Sequence, residues 1–111
     1  MNQNCEYREL SEENYDVLME DIRIVKPETR EYNLLSIINV WETYYKCFII
    51  RKSGQVILVI RITELEHFYS FDAIWLQFMS RADREKIMME FENYFKSSCC
   101  NSQKTVWWWG C

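Results

Sequence analysis

Two adjacent β-branched runs near the middle of the chain constrain its fold most. Residues 47–51 and 56–60 flank a four-residue connection, 52–55, that contains Gly54. A glycine in a short connection between two such runs predicts a β-hairpin. The second run is apolar without alternation, which indicates a central strand covered on both faces. The chain is therefore expected to build a sheet around residues 56–60.

Helical spacing of apolar residues predicts about three helices. The first begins at an N-cap at Ser11 and ends before Pro27, the only proline. The second covers about residues 33–45, and its wide apolar stripe indicates burial on more than one side. The third follows an N-cap at Ser80, with Asp83 at the third helical position. Its apolar positions are Ile87, Met88, Phe91, Tyr94 and Phe95.

Three further strand candidates complete the predicted order. Residues 5–10 place Cys5 and Tyr7 on one face, and residues 105–109 form a final apolar strand. A third candidate lies within residues 68–78, where Asp72 is a candidate for a break or bulge. The predicted order is β-α-α-β-β-β-α-β. This is an α+β fold with a mixed, mainly antiparallel twisted sheet of about five strands, in one domain over residues 1–111.

Composition excludes several classes of protein. Apolar residues make up 49% and aromatic residues 16%, which argues against disorder. The net charge is −4 and the basic residues do not cluster, so no nucleic-acid partner is expected. No apolar run is long enough to span a membrane, and the polar start is unlike a signal peptide. We therefore expect a cytoplasmic protein with reduced cysteines.

Residues capable of chemistry are few. His67 follows two glutamates, Glu64 and Glu66, but it lacks a clear nucleophile or a set of metal ligands, so a surface position is expected. Five cysteines are present and none forms a C-x-x-C pair. A redox or metal cluster of Cys99, Cys100 and Cys111 is one interpretation, and inert, partly buried thiols are the other. No catalytic, cofactor-binding or metal-binding residue is predicted.

The last apolar run contains three adjacent tryptophans. In a strand, Trp107 and Trp109 share one face and Trp108 takes the other. The three are interpreted as core aromatics, as an aromatic contact for a partner, or as a base-stacking platform, although interleaved Arg or Lys is missing. The residues predicted to contact a partner are Val106, Trp107, Trp108 and Trp109.

Several segments, in this order, carry a resemblance to one family. They are the opening at residues 7–16, the helix end at 40–45, the hairpin at 48–59, the helix at 84–95 and the apolar strand closing on glycine at 106–110. Together they resemble the first GNAT-like half of the phosphatidylglycerol lysyltransferase C-terminal-domain-like family, over the length of the chain. Glu42 departs from the pattern, because that family tends to show a basic residue after the tryptophan at position 41.

The resemblance implies a twisted sheet of GNAT type and, in some full-length members, aminoacyl transfer from aminoacyl-tRNA to a lipid head group. The residues for that chemistry lie in the later half of the family, so none is carried over. The leading hypothesis is a shortened relative or fragment, a non-catalytic half-domain that acts by binding or self-association. Its contact region would be residues 107–109 and the face of residues 56–60.

Three other functions stay open. A small inhibitor or regulatory protein encoded by a mobile element would fit a compact, acidic chain. A precursor peptide would have a folded leader at residues 1–96 and a modified Cys- and Trp-bearing tail from Ser97. A complete small acyltransferase is disfavoured, because a GNAT-style acyl-CoA site needs backbone N–H groups at a Gly-containing strand-to-helix turn, and only Gly54 and Gly110 are present. No cofactor is expected.

Overall fold

The computed structural model describes residues 5–11, 13, 16, 17, 20, 46–98 and 104–109. These residues form a five-stranded sheet and one helix with complete bounds. The elements are β1 (Glu6–Glu9), β2 (Lys46–Lys52), β3 (Gln55–Glu64), β4 (Phe68–Trp75), α1 (Arg81–Ser98) and β5 (Thr105–Trp109).

The sheet is mixed and mainly antiparallel. Its strand order is β1-β2-β3-β4-β5. The first three neighbouring pairs are antiparallel, and β4 and β5 are parallel because α1 carries the chain back between them. Strand β3 lies in the middle, and residues 56–60 within it are all buried. The predicted five-stranded mixed sheet and the central position of that run are confirmed.

The helix count and the element order differ from the prediction. The described order is β-β-β-β-α-β, with one helix of complete bounds in place of about three. Asp16, Val17 and Glu20 have helical backbone, but most of the first predicted helix and all of the second lie outside the described residues. The same holds for Cys99, Cys100 and Cys111.

The hairpin between β2 and β3 closes more tightly than predicted. Lys52 and Gln55 already pair across the strands, so the connection has two residues, Ser53 and Gly54, and not four. Both have positive φ values, 54° and 79°. A two-residue turn with both φ angles positive matches the right-handed twist of the flanking strands. Both strands therefore continue one residue further towards the turn than the sequence predicts, β2 to Lys52 and β3 back to Gln55.

Asp72 does not break β4. The strand pairs without interruption from Phe68 to Trp75, and Asp72 stands opposite Arg61 on β3. Arg61 Nη2 lies 3.1 Å from Asp72 Oδ2, and both side chains are partly buried. A carboxylate is tolerated inside this strand because a guanidinium on the neighbouring strand pairs with it.

Helix α1 covers one face of the sheet. The Asp83 N–H donates to Ser80 Oγ at 3.2 Å, which confirms the predicted N-cap. Three residues one turn apart on the helix are buried, namely Ile87, Phe91 and Phe95. They pack on residues from the sheet, including Phe48 and Phe71. The aromatic residues therefore form a continuous core between α1 and the strands.

The opposite face of the sheet is also closed at β2 and β3. Ile49 and Val59 stand opposite each other on that face, and both are 0% exposed. Cys47, two residues from Ile49 on the same face, is a buried free thiol. Burial raises the pKa of Cys47 to about 12.

Cys47 is expected to make the domain sensitive to alkali. Its pKa is 9.0 in an exposed thiol and about 12 when folded, so the folded state holds the proton more tightly. This contribution is complete below pH 9 and is lost as the pH rises from 9 towards 12. The free energy of unfolding should fall by up to about 1.4 kcal/mol per pH unit there. Urea unfolding between pH 7 and 10.5 measures the slope.

The variant Cys47→Ala should be less stable at pH 7 but should show a flatter alkaline slope. Some slope will remain, because burial also raises the pKa of Tyr7 to about 12. Cys5→Ala is the matched comparison. Burial also raises the pKa of Cys5, but this thiol is less buried than Cys47, so its loss should flatten the slope less. Equal alkaline slopes in the wild type and in Cys47→Ala would show that folding does not raise the pKa of Cys47.

Candidate partner-binding edge

Strand β5 forms one edge of the sheet. It pairs with β4 from Thr105 opposite Phe68 to Trp109 opposite Asp72. Among the described residues, no strand lies on its outer side. Alternate residues of an edge strand direct both N–H and C=O groups outward, where they can bind another strand.

The side chains of β5 alternate between two environments. Val106 and Trp108 are half-buried against the core on the α1 face. Trp107 and Trp109 lie on the opposite face and are 52% and 51% exposed. The tryptophans are therefore divided, since one belongs to the core and two are open to solvent.

Trp108 anchors β5 to the rest of the domain. Its ring lies 4.8 Å from Phe71 and 6.5 Å from Phe91, in edge-on geometry. Its indole N–H donates to Glu92 Oε1 on α1 at 2.9 Å. Packing and the hydrogen bond together fix the strand against both the sheet and the helix.

The exposed tryptophans form a patch with a neighbouring phenylalanine. The rings of Trp107 and Trp109 are 6.5 Å apart between centroids and nearly parallel, at 21°. Phe68 on β4 lies 5.5 Å from Trp107. We call these three residues the open-face patch. Large exposed aromatic residues that are contiguous usually mark a site of interaction.

Residues 56–60 cannot share this role. Each of their side chains is at most 3% exposed, because β3 lies in the centre of the sheet and both of its faces are covered. The prediction that their face contacts a partner is therefore wrong. Burial on both faces, which the uniform apolar run itself predicts, removes the surface that a partner would need.

A lysine holds the start of β5 in place. Lys104 Nζ donates to Glu64 Oε2 at 2.9 Å and to the Leu65 carbonyl at 2.8 Å. It also lies 5.1 Å from the centre of the Tyr69 ring. The register of β5 against β4 is thus fixed within the chain, so the outer edge is already formed. Sequence reasoning missed Lys104; the signal was a single cation directly before an uncharged strand.

The two edges of the sheet differ in charge. Strand β1, at the other edge, has four residues, of which Glu6, Arg8 and Glu9 are charged. Strand β5 has five residues and no charge. Charged residues on short edge strands are a common protection against unwanted strand pairing. The β1 edge has that protection and the β5 edge does not.

The other candidate residues from the sequence are not brought together. His67 is exposed in the connection between β3 and β4, with Nε2 3.7 Å from Glu66 Oε1. Asp72 is paired with Arg61 inside the sheet. Within residues 5–98 and 104–109, as far as they are described, no three His, Cys, Asp or Glu residues are grouped to hold a metal. The described part of the chain also has no helix long and apolar enough to cross a membrane.

Comparison with known proteins identifies the fold. No family model matches the chain, and no curated protein matches it by sequence. Solved structures do match. An aminoglycoside N-acetyltransferase, solved in complex with CoA, superposes with a TM-score of 0.56 at 9% identity, over 100% of this chain and 80% of the other. The fold is that of the GNAT acetyltransferases.

Two further structures agree with this GNAT fold. A GNAT family acetyltransferase from Staphylococcus aureus has a TM-score of 0.57 at 9% identity, over 96% of this chain and 87% of its own. A possible acetyltransferase from Clostridium difficile has a TM-score of 0.51 at 16% identity, over 96% and 80%. Identities this low relate the folds, while the activity has to be argued from this chain's own residues.

The GNAT fold implies an acyl-CoA cofactor, and the described residues fit it poorly. The strand-to-helix turn between β4 and α1, residues 76–80, contains no glycine. One of its first-turn N–H groups, that of Asp83, already donates to Ser80 Oγ. The Asp83 carboxylate adds negative charge where a pyrophosphate would need donors. No catalytic step can be derived through this cofactor.

An open cavity of about 330 Å³ lies beside the same turn. Its lining residues are Trp75, Leu76, Gln77, Phe78, Met79 and Arg84. The indole N–H of Trp75 is buried and has no hydrogen-bond acceptor among the residues that the structure describes. Arg84 also borders a neighbouring cavity of about 300 Å³. The Arg84 guanidinium is a side-chain donor, and it does not replace a backbone cradle for pyrophosphate.

Proposed function

We propose that this GNAT-fold domain is a binding module that accepts a β-strand along the outer edge of β5 and does not itself transfer acyl groups. The observation that carries this proposal is an uncharged edge strand with two half-exposed tryptophans, Trp107 and Trp109. Main-chain hydrogen bonds would supply affinity, and side-chain contacts would supply specificity.

The four contact residues have different tasks in this proposal. Trp107 and Trp109 would contact the partner through their exposed rings. Val106 and Trp108, whose side chains pack on the α1 face, would contribute mainly through the backbone. The Lys104–Glu64 contact supports a preformed edge, because a partner would not have to order β5 itself.

The finer family relationship is part of the proposal. Residues 1–111 would be a single half-domain related to phosphatidylglycerol lysyltransferase-like aminoacyl and acyl transferases, located in the cytoplasm. The poor fit of residues 76–80 to a pyrophosphate cradle supports a role in binding over a role in transfer.

A strand peptide tests the proposal directly. The probe is a fluorescent peptide that copies residues 104–109, with two added lysines at each end. We expect saturable binding by fluorescence anisotropy with a Kd of about 10–100 μM, since a short strand buries a small area. Two versions carry N-methyl groups on alternate amides. One version should lose binding and the other keep it, because only alternate amides face β5.

Substitutions locate the binding site. The double variant W107K/W109K should weaken peptide binding by about tenfold or more, because exposed tryptophans commonly dominate contact energy. Phe78→Lys is the matched control, since Phe78 is 94% exposed but lies in the turn after β4. Equal binding by all three proteins would refute an edge site.

Calorimetry with CoA, acetyl-CoA and free pyrophosphate tests whether the domain binds the cofactor that an acyltransferase would need. We expect no saturable heat with CoA or acetyl-CoA, because the turn before α1 lacks a backbone cradle. Heat with pyrophosphate alone that disappears in Arg84→Ala would assign a small-anion contact to Arg84. Saturable binding of acetyl-CoA would contradict the non-catalytic role.

A further inference from the structure

We infer that the strand accepted by β5 is β5 of a second copy of this chain, antiparallel to the first, with Trp107 on the two-fold axis. This inference rests on the proposed function and names the partner. It would join two five-stranded sheets into one continuous sheet of ten strands.

The register follows from the length of β5. Full antiparallel overlap of two five-residue strands places Trp107 opposite Trp107 of the second copy and Thr105 opposite Trp109. Residues directly opposite each other in an antiparallel pair point to the same face. The open-face residues of one copy therefore meet the open-face residues of the other.

Registers shifted by one residue bring unlike side chains together on both faces of the sheet. A shift by one residue sets Trp107 opposite Val106 or Trp108, and these side chains belong to the α1 face. Such a slip would turn the second copy over, so that its exposed tryptophans would lie beside the first copy's helix layer. Full overlap instead keeps both α1 helices on one side and both open-face patches on the other.

This arrangement would cover part of the exposed aromatic surface of β5. Trp107 and Trp109 are each about half exposed in the single chain. In the pair, the two Trp107 rings would lie across from each other, with a Trp109 ring on either side. Aromatic cross-strand pairs are among the stabilising ones in sheets, and the pairing would also reduce the exposed apolar area.

Charge favours a second copy at β5 and opposes it at β1. Each chain has a net charge of −4, but β5 has none, so the strands meet without like charges in register. Full-length antiparallel pairing of two β1 strands would instead set Glu6 opposite Glu9. Like charges directly opposite are destabilising. Repulsion between the remaining charges is screened beyond about 8 Å at physiological salt.

Light scattering after size exclusion tests the pairing with the full chain. At about 50 μM, a concentration suited to a weak to moderate interface, we expect a mass near twice the 13.7 kDa of one chain. Trp107→Lys should raise the dimer Kd by about 100-fold, because each dimer contains the change twice. Phe78→Lys, at an exposed aromatic residue away from β5, should leave the mass unchanged.

A charge pair tests the register. Trp109→Lys should weaken the dimer, and T105E/W109K should then bind about three- to tenfold more tightly than W109K, because each lysine faces a glutamate of the other copy. Within one chain the two positions are about 13 Å apart along the strand, too far to pair directly. Thr105→Glu alone should not strengthen the dimer. Circular dichroism confirms that each variant is folded.

The outcomes separate the inference from the proposed function. A wild-type chain that stays monomeric but binds the β5 peptide overturns the inference and leaves the edge-binding role standing. A monomer that also fails to bind the peptide overturns both the inference and the edge-binding role. A dimer unaffected by W107K uses another surface, which overturns the inference, and a double variant no better than W109K overturns the register.

Discussion

Replacing Phe91 by alanine is expected to lower the free energy of unfolding by about 3–5 kcal/mol. Phe91 is 0% exposed, and its ring contacts aromatic residues from four strands. Its ring lies 5.4 Å from Tyr7, 5.2 Å from Phe48, 5.7 Å from Phe71 and 6.5 Å from Trp108. Removal would leave a cavity bordered by β1, β2, β4 and β5. Urea denaturation followed by circular dichroism measures the loss.

The matched control lies two residues away on the same helix. Met89 is 65% exposed, so Met89→Ala should change the free energy of unfolding by no more than about 0.5 kcal/mol. A loss of 3–5 kcal/mol could unfold a domain whose total stability is about 5–15 kcal/mol. Phe91→Leu keeps most of the volume and should stay folded at a cost of about 1–2 kcal/mol. Similar losses for Phe91→Ala and Met89→Ala would mean that α1 does not close the core.

Local signals in the sequence predicted the strands and the beginning of α1. Ser80 is followed by Asp83 and then by apolar residues at helical spacing, and the structure has the cap in that place. The final strand has the predicted bounds, Thr105–Trp109. In both cases the deciding interactions lie within a few residues of one another, so a short window of sequence contains them.

Features that depend on distant residues were harder to predict. Asp72 looked like a strand breaker because its partner, Arg61, lies on the preceding strand. The tight hairpin requires a positive φ at Ser53. This conformation is uncommon for residues other than glycine, so a serine at this position does not predict it. The parallel pairing of β4 and β5 depends on where α1 returns the chain, which propensity alone does not encode.

In the candidate site, too, local sequence predicts some features, and others depend on distant residues. Alternation along β5 predicts that Trp107 and Trp109 share one face. It does not say which face is covered, because that depends on the side of the sheet on which α1 packs. The edge position of β5 follows only from the order of all five strands. The contrast between an uncharged β5 and a charged β1 becomes informative once both are known to be edges.

Replacing Trp108 by alanine should have the second-largest effect, a loss of about 3 kcal/mol in the free energy of unfolding. The change removes the ring contact with Phe71 at 4.8 Å and the 2.9 Å hydrogen bond to Glu92. It therefore releases β5 from both β4 and α1. Besides the lower stability, the amides of residues 105–109 should exchange hydrogen faster, as measured by mass spectrometry.

Comparison with the neighbouring tryptophan separates anchoring from binding. Trp107→Ala should cost no more than about 1 kcal/mol, because half of that ring is already in water. Trp108→Phe keeps the packing on Phe71 and loses mainly the bond to Glu92, at about 1 kcal/mol. If Trp107→Ala cost as much as Trp108→Ala, the open face would be part of the core. An edge that binds a second strand needs the two residues to differ in this way, since Trp108 must hold β5 still while Trp107 remains available to the partner.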